Sequence, residues 1–241
     1  MIQIKKSSNM KTILAMLLFL SVSIYADMST TKKAMEYYKK GDINKAVKML
    51  KKSCKSGEVN ACVNLGYMYV RGLSVKKNFT VGYTLLKKAC DSGNNKGCIV
   101  LGNAISEEES NLWYNFQKSK TPTPKDIKQH KMRLQIAQNY LKKACDNGSA
   151  MGCSSLGGSY WNFVQQNGGI KKLPKLTKKA FSLLTKACDL KDIRSCMQLG
   201  YTYENIGENY FSRAAKLYKK ACDFGYDKAC SDYKRLNGAG Y

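Results

Sequence analysis

The stretch that decides the fold is residues 85–102, which reads LLKKACDSGNNKGCIVLG. Closely similar stretches occupy residues 140–157, YLKKACDNGSAMGCSSLG, and residues 183–200, LLTKACDLKDIRSCMQLG. In each of them two cysteines stand eight positions apart, and a Leu-Gly pair follows the second cysteine at a fixed distance. A unit that recurs with its spacing intact indicates internal repeats.

All ten cysteines of the chain fall into pairs with this separation. The pairs are Cys54 with Cys62, Cys90 with Cys98, Cys145 with Cys153, Cys188 with Cys196, and Cys222 with Cys230. No cysteine is left over, so each repeat is predicted to carry one disulfide if the protein matures in an oxidising compartment. Zinc binding is the alternative, but paired zinc ligands usually have about two to four residues between them. The wider spacing therefore favours disulfides and predicts no metal site.

Each repeat reads as two antiparallel helices with a short connection. Apolar residues at helical spacing precede the first cysteine, and lysines occupy the last turn, where they complement the negative end of the helix. A glycine then ends this helix in most repeats, whereas the fourth repeat has Lys191 at that position. The second cysteine begins the next helix, whose Leu-Gly pair lets a neighbouring helix approach closely. In the chain-entropy model one such bridge contributes about 2.5 kcal/mol.

The distances between successive first cysteines give a basic period of about 36 residues with two insertions. We expect a signal peptide at 1–26, an N-terminal capping helix at 27–41, five disulfide-linked repeats at 42–237 with insertions near 103–125 and 164–174, and a C-terminal tail at 238–241. The first insertion is predicted to form two long helices joined at a proline turn, because Thr123 and Asp126 resemble a capping box around Pro124. The second insertion is predicted to be a loop.

The N-terminus has the pattern of a secretory signal peptide. Basic residues precede an uncharged apolar run over residues 12–24, and Ala26 stands before the first acid. The run is short for a membrane span. We therefore expect cleavage near Ala26 and an exported protein without a membrane span, located in the periplasm or outside the cell.

The charge of the chain is strongly basic, with 41 Lys and Arg against 17 Asp and Glu, a formal net charge of +24. Nucleic acid is not the expected partner, because the protein is expected to be exported. Part of the charge belongs to the repeat itself, since lysine pairs recur before the cysteines at Lys51-Lys52, Lys87-Lys88, Lys142-Lys143 and Lys219-Lys220. Such pairs are typical of solvated helix ends, although they can also attract acidic glycans, anionic lipid headgroups or acidic peptides.

These features resemble the Sel-like repeats, which are relatives of tetratricopeptide repeats. The cysteine pair in every repeat behind a signal peptide resembles the secreted, cysteine-rich Hcp family of bacteria. The resemblance covers about residues 28–237, and it implies an all-α fold, a right-handed α/α superhelical solenoid with one disulfide per repeat. It also implies binding of penicillin-type β-lactams or cell-wall peptides, with weak β-lactamase activity. The alternative function is a non-enzymatic scaffold whose concave face binds a peptide or protein.

The residues themselves offer no hydrolytic machinery to carry that activity. Ser-x-x-Lys, the motif of serine β-lactamases, occurs about as often as chance predicts, and neither Ser-Asp-Asn nor Lys-Thr-Gly is present. The single histidine, His130, rules out a multi-histidine metal site and is expected to be exposed on a basic helix. No catalytic residue is assigned, no cofactor is expected, and the protein is expected to be a monomer.

Aromatic residues in the first insertion are the remaining candidates for a functional contact. Trp113, Tyr114 and Phe116 lie outside the repeat pattern, so they form either a local hydrophobic plug or a contact with a partner. The tyrosines of the repeats, including Tyr160, Tyr203 and Tyr218, are expected to pack between helices.

Overall fold

A computed structural model describes residues 30–241, and the predicted signal peptide lies outside this range. The described chain is helical and contains no strand. Its helices are α1 (30–39), α2 (Ile43–Lys55), α3 (Val59–Arg71), α4 (Phe79–Asp91), α5 (Asn95–Ser119), α6 (Pro124–Asp146), α7 (Ala150–Gln166), α8 (Gly169–Lys172), α9 (Pro174–Asp189), α10 (Ile193–Ile206), α11 (Phe211–Asp223) and α12 (Asp227–Gly238). The chain forms two compact units, divided after Asn94.

The first unit contains α1 to α4. Its core lies between α2 and α3, where Leu50 and Leu65 pack around the Cys54–Cys62 bridge. Helices α3 and α4 then approach each other through glycine: a Cβ atom added to Gly66 would stand 2.8 Å from the side chain of Leu86. Only a residue without a side chain allows this separation, so the Leu-Gly pair fixes how one helix pair meets the helix that follows it.

The second unit contains α5 to α12 and repeats this contact. Each helix packs on the next along the chain, and α7 also packs directly on α9 beside the short α8. A Cβ atom added to Gly102 would stand 2.8 Å from Leu141, and one added to Gly157 would stand 3.0 Å from Leu184. The predicted close approach at the Leu-Gly pair is therefore confirmed in both units.

The last contact of this series differs because a tyrosine replaces the leucine. A Cβ atom added to Gly200 would stand 2.7 Å from the ring of Tyr218. The buried Tyr218 hydroxyl donates a hydrogen bond to Glu204 over 3.0 Å, and Arg235 pairs with the same carboxylate. Burial raises the pKa of the Tyr218 phenol, while the hydrogen bond from Arg235 lowers the pKa of Glu204. This network joins α10, α11 and α12, and it confirms a packing role for Tyr218.

The predicted disulfides are present, with five cysteine pairs and no free thiol in the described chain. In the second repeat, Cys90 at the end of α4 and Cys98 at the start of α5 are both disulfide-bonded. In the last repeat, Cys222 of α11 is bonded to Cys230 of α12, with 4.6 Å between their Cα atoms. Within each unit, the bridges thus join the end of one helix to the start of the next.

The turn inside each bridge contains a residue in the left-handed conformation. That residue is glycine in four repeats, with φ between 79° and 101° in the turns at Gly57, Gly93, Gly148 and Gly225. Lys191 takes the same conformation in the fourth repeat with φ of 68°, although it has a side chain. The turn geometry is therefore kept even where the glycine of the repeat is missing.

The first insertion forms the two long helices expected of it. Helix α5 has 25 residues and α6 has 23, whereas α4 and α11 have 13. The capping box is confirmed: the Asp126 amide donates to the Thr123 hydroxyl, and the Thr123 amide donates to the Asp126 carboxylate. The second insertion differs from the predicted loop, because residues Gly169–Lys172 form a single helical turn, α8.

Candidate functional site

A row of aromatic rings crosses the second unit from α7 to the start of α11. Trp161 contacts Phe181 with 5.2 Å between ring centroids, and Phe181 meets the edge of Tyr203 at 5.1 Å. Tyr203 then stacks on Tyr210 at 5.8 Å. Trp161 and Phe181 are buried, whereas Tyr203 and Tyr210 are half-buried and reach the surface. Tyr203 therefore packs between helices as expected and also presents an edge to solvent.

An open cavity of about 460 Å³ lies where this row reaches the surface between α9 and α11. Its apolar wall includes Phe181, Tyr203, Tyr210 and Ile206. The Arg213 guanidinium lies 5.5 Å from the centroid of Tyr210, a cation–π distance. The cavity thus offers an apolar wall with two cationic side chains in its lining, Lys178 and Arg213, an arrangement that suits an apolar side chain next to an acidic one.

A second open cavity, of about 400 Å³, lies between α6 and α9 and is basic. Its lining includes Lys142, Lys175, Lys178, Lys179 and Lys186. All five lysines are exposed. The single acid in the lining, Asp146, already forms an ion pair with Lys142. The cavity therefore keeps an excess of positive charge.

The two cavities form one surface, which we call the basic–aromatic face. Lys178 and Ser182 of α9 line both of them, so the face runs from α6 across α9 to α11. Sequence reasoning missed it, because its residues come from helices of three different repeats. A signal was present in α9, where Lys175, Lys178, Lys179 and Lys186 recur at helical spacing, and this pattern places them on one side of the helix.

Three of the four lysine pairs before the cysteines are partly neutralised within their own repeat. Lys87 pairs with Asp91, Lys142 with Asp146 and Lys219 with Asp223, always from position i to i+4. These groups are exposed, as expected of solvated helix ends. The repeated lysines therefore contribute less free charge than their number indicates, while α9 has lysines beyond this pattern.

The aromatic residues of the first insertion occupy different environments. Trp113 stacks on Phe116 at 5.9 Å and on the ring of His130 at 4.2 Å, with interplanar angles of 12° and 13°. Tyr114 instead points to solvent with 59% of its surface exposed, and the Lys118 ammonium lies over its ring. The three residues therefore do not form one cluster.

His130 is not exposed, contrary to expectation. Only 16% of its side chain is accessible, because Trp113 covers one face of the ring and Nδ1 lies 3.0 Å from the buried Glu109. Arg133 contacts the other oxygen of Glu109 at 3.3 Å. Sequence reasoning placed the histidine on a solvated helix because the partner acid lies on the preceding helix, 21 residues away.

Two of the Ser-x-x-Lys motifs, those of Ser74 and Ser231, lie in the described chain. Ser74 lies in the exposed turn between α3 and α4 with φ of 60°, and Ser231 lies on α12. The described residues also contain no group of three or more potential metal ligands. None of the described helices combines the length and apolar character needed to cross a bilayer.

Comparison with known proteins agrees with the repeat architecture. The Sel1 repeat family matches residues 36–58, 59–94, 121–149, 151–192 and 193–226, which is more than half of the chain. No curated protein matches the chain. A Sel1 repeat protein from Oxalobacter formigenes is similar in structure, with a TM-score of 0.55 and 17% identity over 88% of this chain and 86% of that protein.

A second solved structure, the immunity protein Pa5087 from Pseudomonas aeruginosa, is similar with a TM-score of 0.50 and 19% identity over 85% of this chain and 68% of that protein. At such low identities both likenesses bear on the fold alone. The family matches follow the helix pairs and their turns, and the breaks between them include the first insertion. On this evidence the chain belongs to the Sel1 repeat family.

Proposed function

We propose that this Sel1 repeat protein is an exported scaffold that binds an acidic segment of a partner protein on its basic–aromatic face. The observation that carries the proposal is the union of the two cavities through Lys178 and Ser182. A segment lying across α6, α9 and α11 meets lysines in the basic cavity and aromatic rings in the aromatic cavity. Complementary charge speeds association and orients the bound segment, and an aromatic pocket holds one of its apolar side chains.

The form of the face favours an extended segment over a small molecule. Both cavities are open to solvent, and each has the volume of a few side chains. Small-molecule sites bury most of the surface of their ligand, which a shallow, connected groove does not do. A short acidic chain with one apolar residue can instead place a carboxylate near Lys179 or Lys186 while its apolar side chain contacts Phe181 and Tyr203.

Export is supported by the disulfides and by the N-terminal sequence. Disulfides of this number persist in oxidising compartments and are rare in the cytosol, so they point to a periplasmic or extracellular protein. Cleavage near Ala26 is part of the proposal. Mass spectrometry of the chain recovered from the periplasm or the medium tests it, and a cytosolic, full-length product would contradict it.

The binding proposal is tested by fluorescence anisotropy with a labelled acidic octapeptide that contains one central phenylalanine. We expect salt-sensitive binding, and weaker binding when serine replaces the phenylalanine or lysines replace the acids. Lys178→Glu should weaken binding about five- to tenfold, because it reverses one exposed charge in the groove. Lys228→Glu on α12 makes the same change in net charge away from the face and is the matched control. Equal losses in both variants would refute the proposed site.

Weak β-lactamase activity stays a prediction of the resemblance to the Hcp family. The face does bring Ser182 between Lys178 and Lys186, one helical turn to either side. A serine nucleophile needs a base within hydrogen-bond reach, and no such bond to Ser182 occurs among the described residues. Nitrocefin separates the two functions: we expect turnover no faster than in a mock purification. Turnover that disappears in Ser182→Ala would instead favour the enzyme.

A further inference from the structure

The far half of the α5–α6 hairpin is set apart from the rest of the second unit. We call residues 110–136 the hairpin tip. None of these residues is buried, whereas the halves of α5 and α6 that continue into the repeats contain buried residues such as Leu101 and Leu141. The two helices are at least ten residues longer than α4 or α11. At 1.5 Å per residue, this length lets the tip extend about 15 Å beyond a repeat of ordinary size.

The hairpin tip exposes large apolar side chains. Leu112, Tyr114, Ile127, Met132 and Ile136 are each more than a third exposed. Leu112, Trp113 and Phe116 also line an open groove between α5 and α6, together with Gln129. Met132 and Ile136 follow Gln129 at three and seven positions, so they continue the same side of α6. Exposed apolar residues in one place mark an interaction surface more strongly than the same residues scattered singly.

Exposed lysines surround these apolar residues. The tip contains Lys118, Lys120, Lys125, Lys128 and Lys131, all exposed, together with Arg133. Asp126 is its only acid, so the formal charge of the tip is +5. The Lys118 ammonium lies over Tyr114, and the Lys120 ammonium lies 6.0 Å from the centroid of Phe116. Apolar stems and rings therefore lie beside charged ends, as in side chains that sit at an interface between apolar and aqueous phases.

Side-chain contacts between α5 and α6 stabilise the hairpin tip. Glu109 is buried under it and contacts both His130 and Arg133, while Trp113 stacks on His130. The capping box at Thr123 fixes the start of α6 at the turn. These contacts join the two helices, so the apolar and basic side chains are displayed by a stable hairpin rather than by a loop.

We propose that the hairpin tip binds the surface of an anionic lipid bilayer as a peripheral contact. Two features favour a bilayer over an acidic protein. The hairpin tip extends beyond the repeats, so it can touch a flat surface. The groove that would hold a protein segment lies elsewhere, on the basic–aromatic face. Lysines placed beside aromatic and aliphatic side chains are typical of helices that lie in the headgroup region. There the burial of apolar area and the attraction of lysines to anionic lipids both contribute to binding.

The proposal is tested by vesicle co-sedimentation of the chain as recovered after export. The vesicles contain phosphatidylcholine and phosphatidylglycerol at about three to one, and pure phosphatidylcholine vesicles serve as the reference. One variant removes apolar groups through Leu112→Gln, Tyr114→Gln and Met132→Gln. A second removes charge through Lys120→Gln, Lys128→Gln and Lys131→Gln. Circular dichroism checks that each variant is folded.

Each variant has a matched control with equal changes elsewhere. For the apolar groups the control is Tyr67→Gln, Met151→Gln and Tyr201→Gln, and for the lysines it is Lys48→Gln, Lys228→Gln and Lys234→Gln. We expect both tip variants to partition at least about tenfold less onto the anionic vesicles, since each lysine near the surface contributes about fivefold, while both controls bind as the wild type does. Hydrogen exchange should slow within residues 110–136 when anionic vesicles are added.

Three outcomes would overturn the proposal. Undiminished binding by the apolar tip variant would mean simple electrostatic adhesion, and equal loss in the lysine control would mean that net charge alone is responsible. Failure of the wild-type protein to bind anionic vesicles would also reject it, including the case in which the tip instead captures an acidic protein.

Discussion

Helices bury their side chains at the Leu-Gly contacts between repeats, whereas in the hairpin tip they leave them exposed. In the repeats a glycine such as Gly102 brings two helices so close that Leu141 is 1% exposed. In the tip no residue is buried, and the helices are joined by a cap, a ring stack and the contacts of Glu109. The repeats therefore hold the stability of the second unit, while the tip is free to present side chains to the surroundings.

The largest expected difference between the two regions concerns the loss of a large apolar side chain. Leu141→Ala should lower the free energy of unfolding by about 2–5 kcal/mol, because it leaves a cavity against Gly102. Met132→Ala, nine residues earlier on the same helix, should cost less than about 0.5 kcal/mol, because the side chain is exposed. Urea denaturation followed by circular dichroism measures both. Similar losses would show that the tip is packed like a repeat.

The disulfides provide the next largest effect. Replacing Cys145 and Cys153 by alanine should cost at least about 2.5 kcal/mol, because the loop entropy of the unfolded chain is restored. The same replacement at Cys188 and Cys196 should cost a similar amount, since the two loops have equal length. Thermal unfolding of both variants without reductant gives the comparison. A loss in only one of them would show that local packing, and not chain entropy, dominates.

The smallest effect concerns the single turn that departs from the repeat. Lys191→Gly should stabilise the protein by about 1 kcal/mol, because an L-residue with a side chain is strained in the left-handed conformation. Gly148→Ala makes the reverse change and should destabilise by a similar amount; its φ is 79° and no atom lies within 4 Å of the added Cβ. Guanidinium denaturation measures both variants, and a destabilised Lys191→Gly would mean that the lysine side chain makes a favourable contact.

The sequence predicted those parts of the protein that depend on near neighbours in the chain. The cysteine pairs, the glycine turns and the capping box at Thr123 each involve residues within about ten positions of one another, so their spacing is visible directly. The close approach at Gly102 was also predictable, because the repeat places a leucine at the same position in successive first helices. The loop expected at residues 164–174 was wrong in detail, since glycine and proline there flank a single helical turn, α8.

The sequence did not predict contacts between residues that are far apart in the chain. His130 was expected in solvent because its partner Glu109 lies on the preceding helix. The basic–aromatic face was missed because Phe181, Tyr203 and Arg213 belong to three helices and meet only when these pack. The partner contact suggested by Trp113, Tyr114 and Phe116 stays a prediction, now extended to the whole hairpin tip.

The sequence by itself determined that this protein is a series of helix pairs linked by disulfides. Each repeat of about 36 residues specifies its helices, turn and bridge through residues that are close together in the chain. Only the tertiary structure decided which surfaces are available for binding. Packing of successive first helices joins two cavities into one face. The greater length of α5 and α6 carries their far ends beyond the buried part of their own repeats. Both results follow from how helices are placed against each other, which local spacing does not encode.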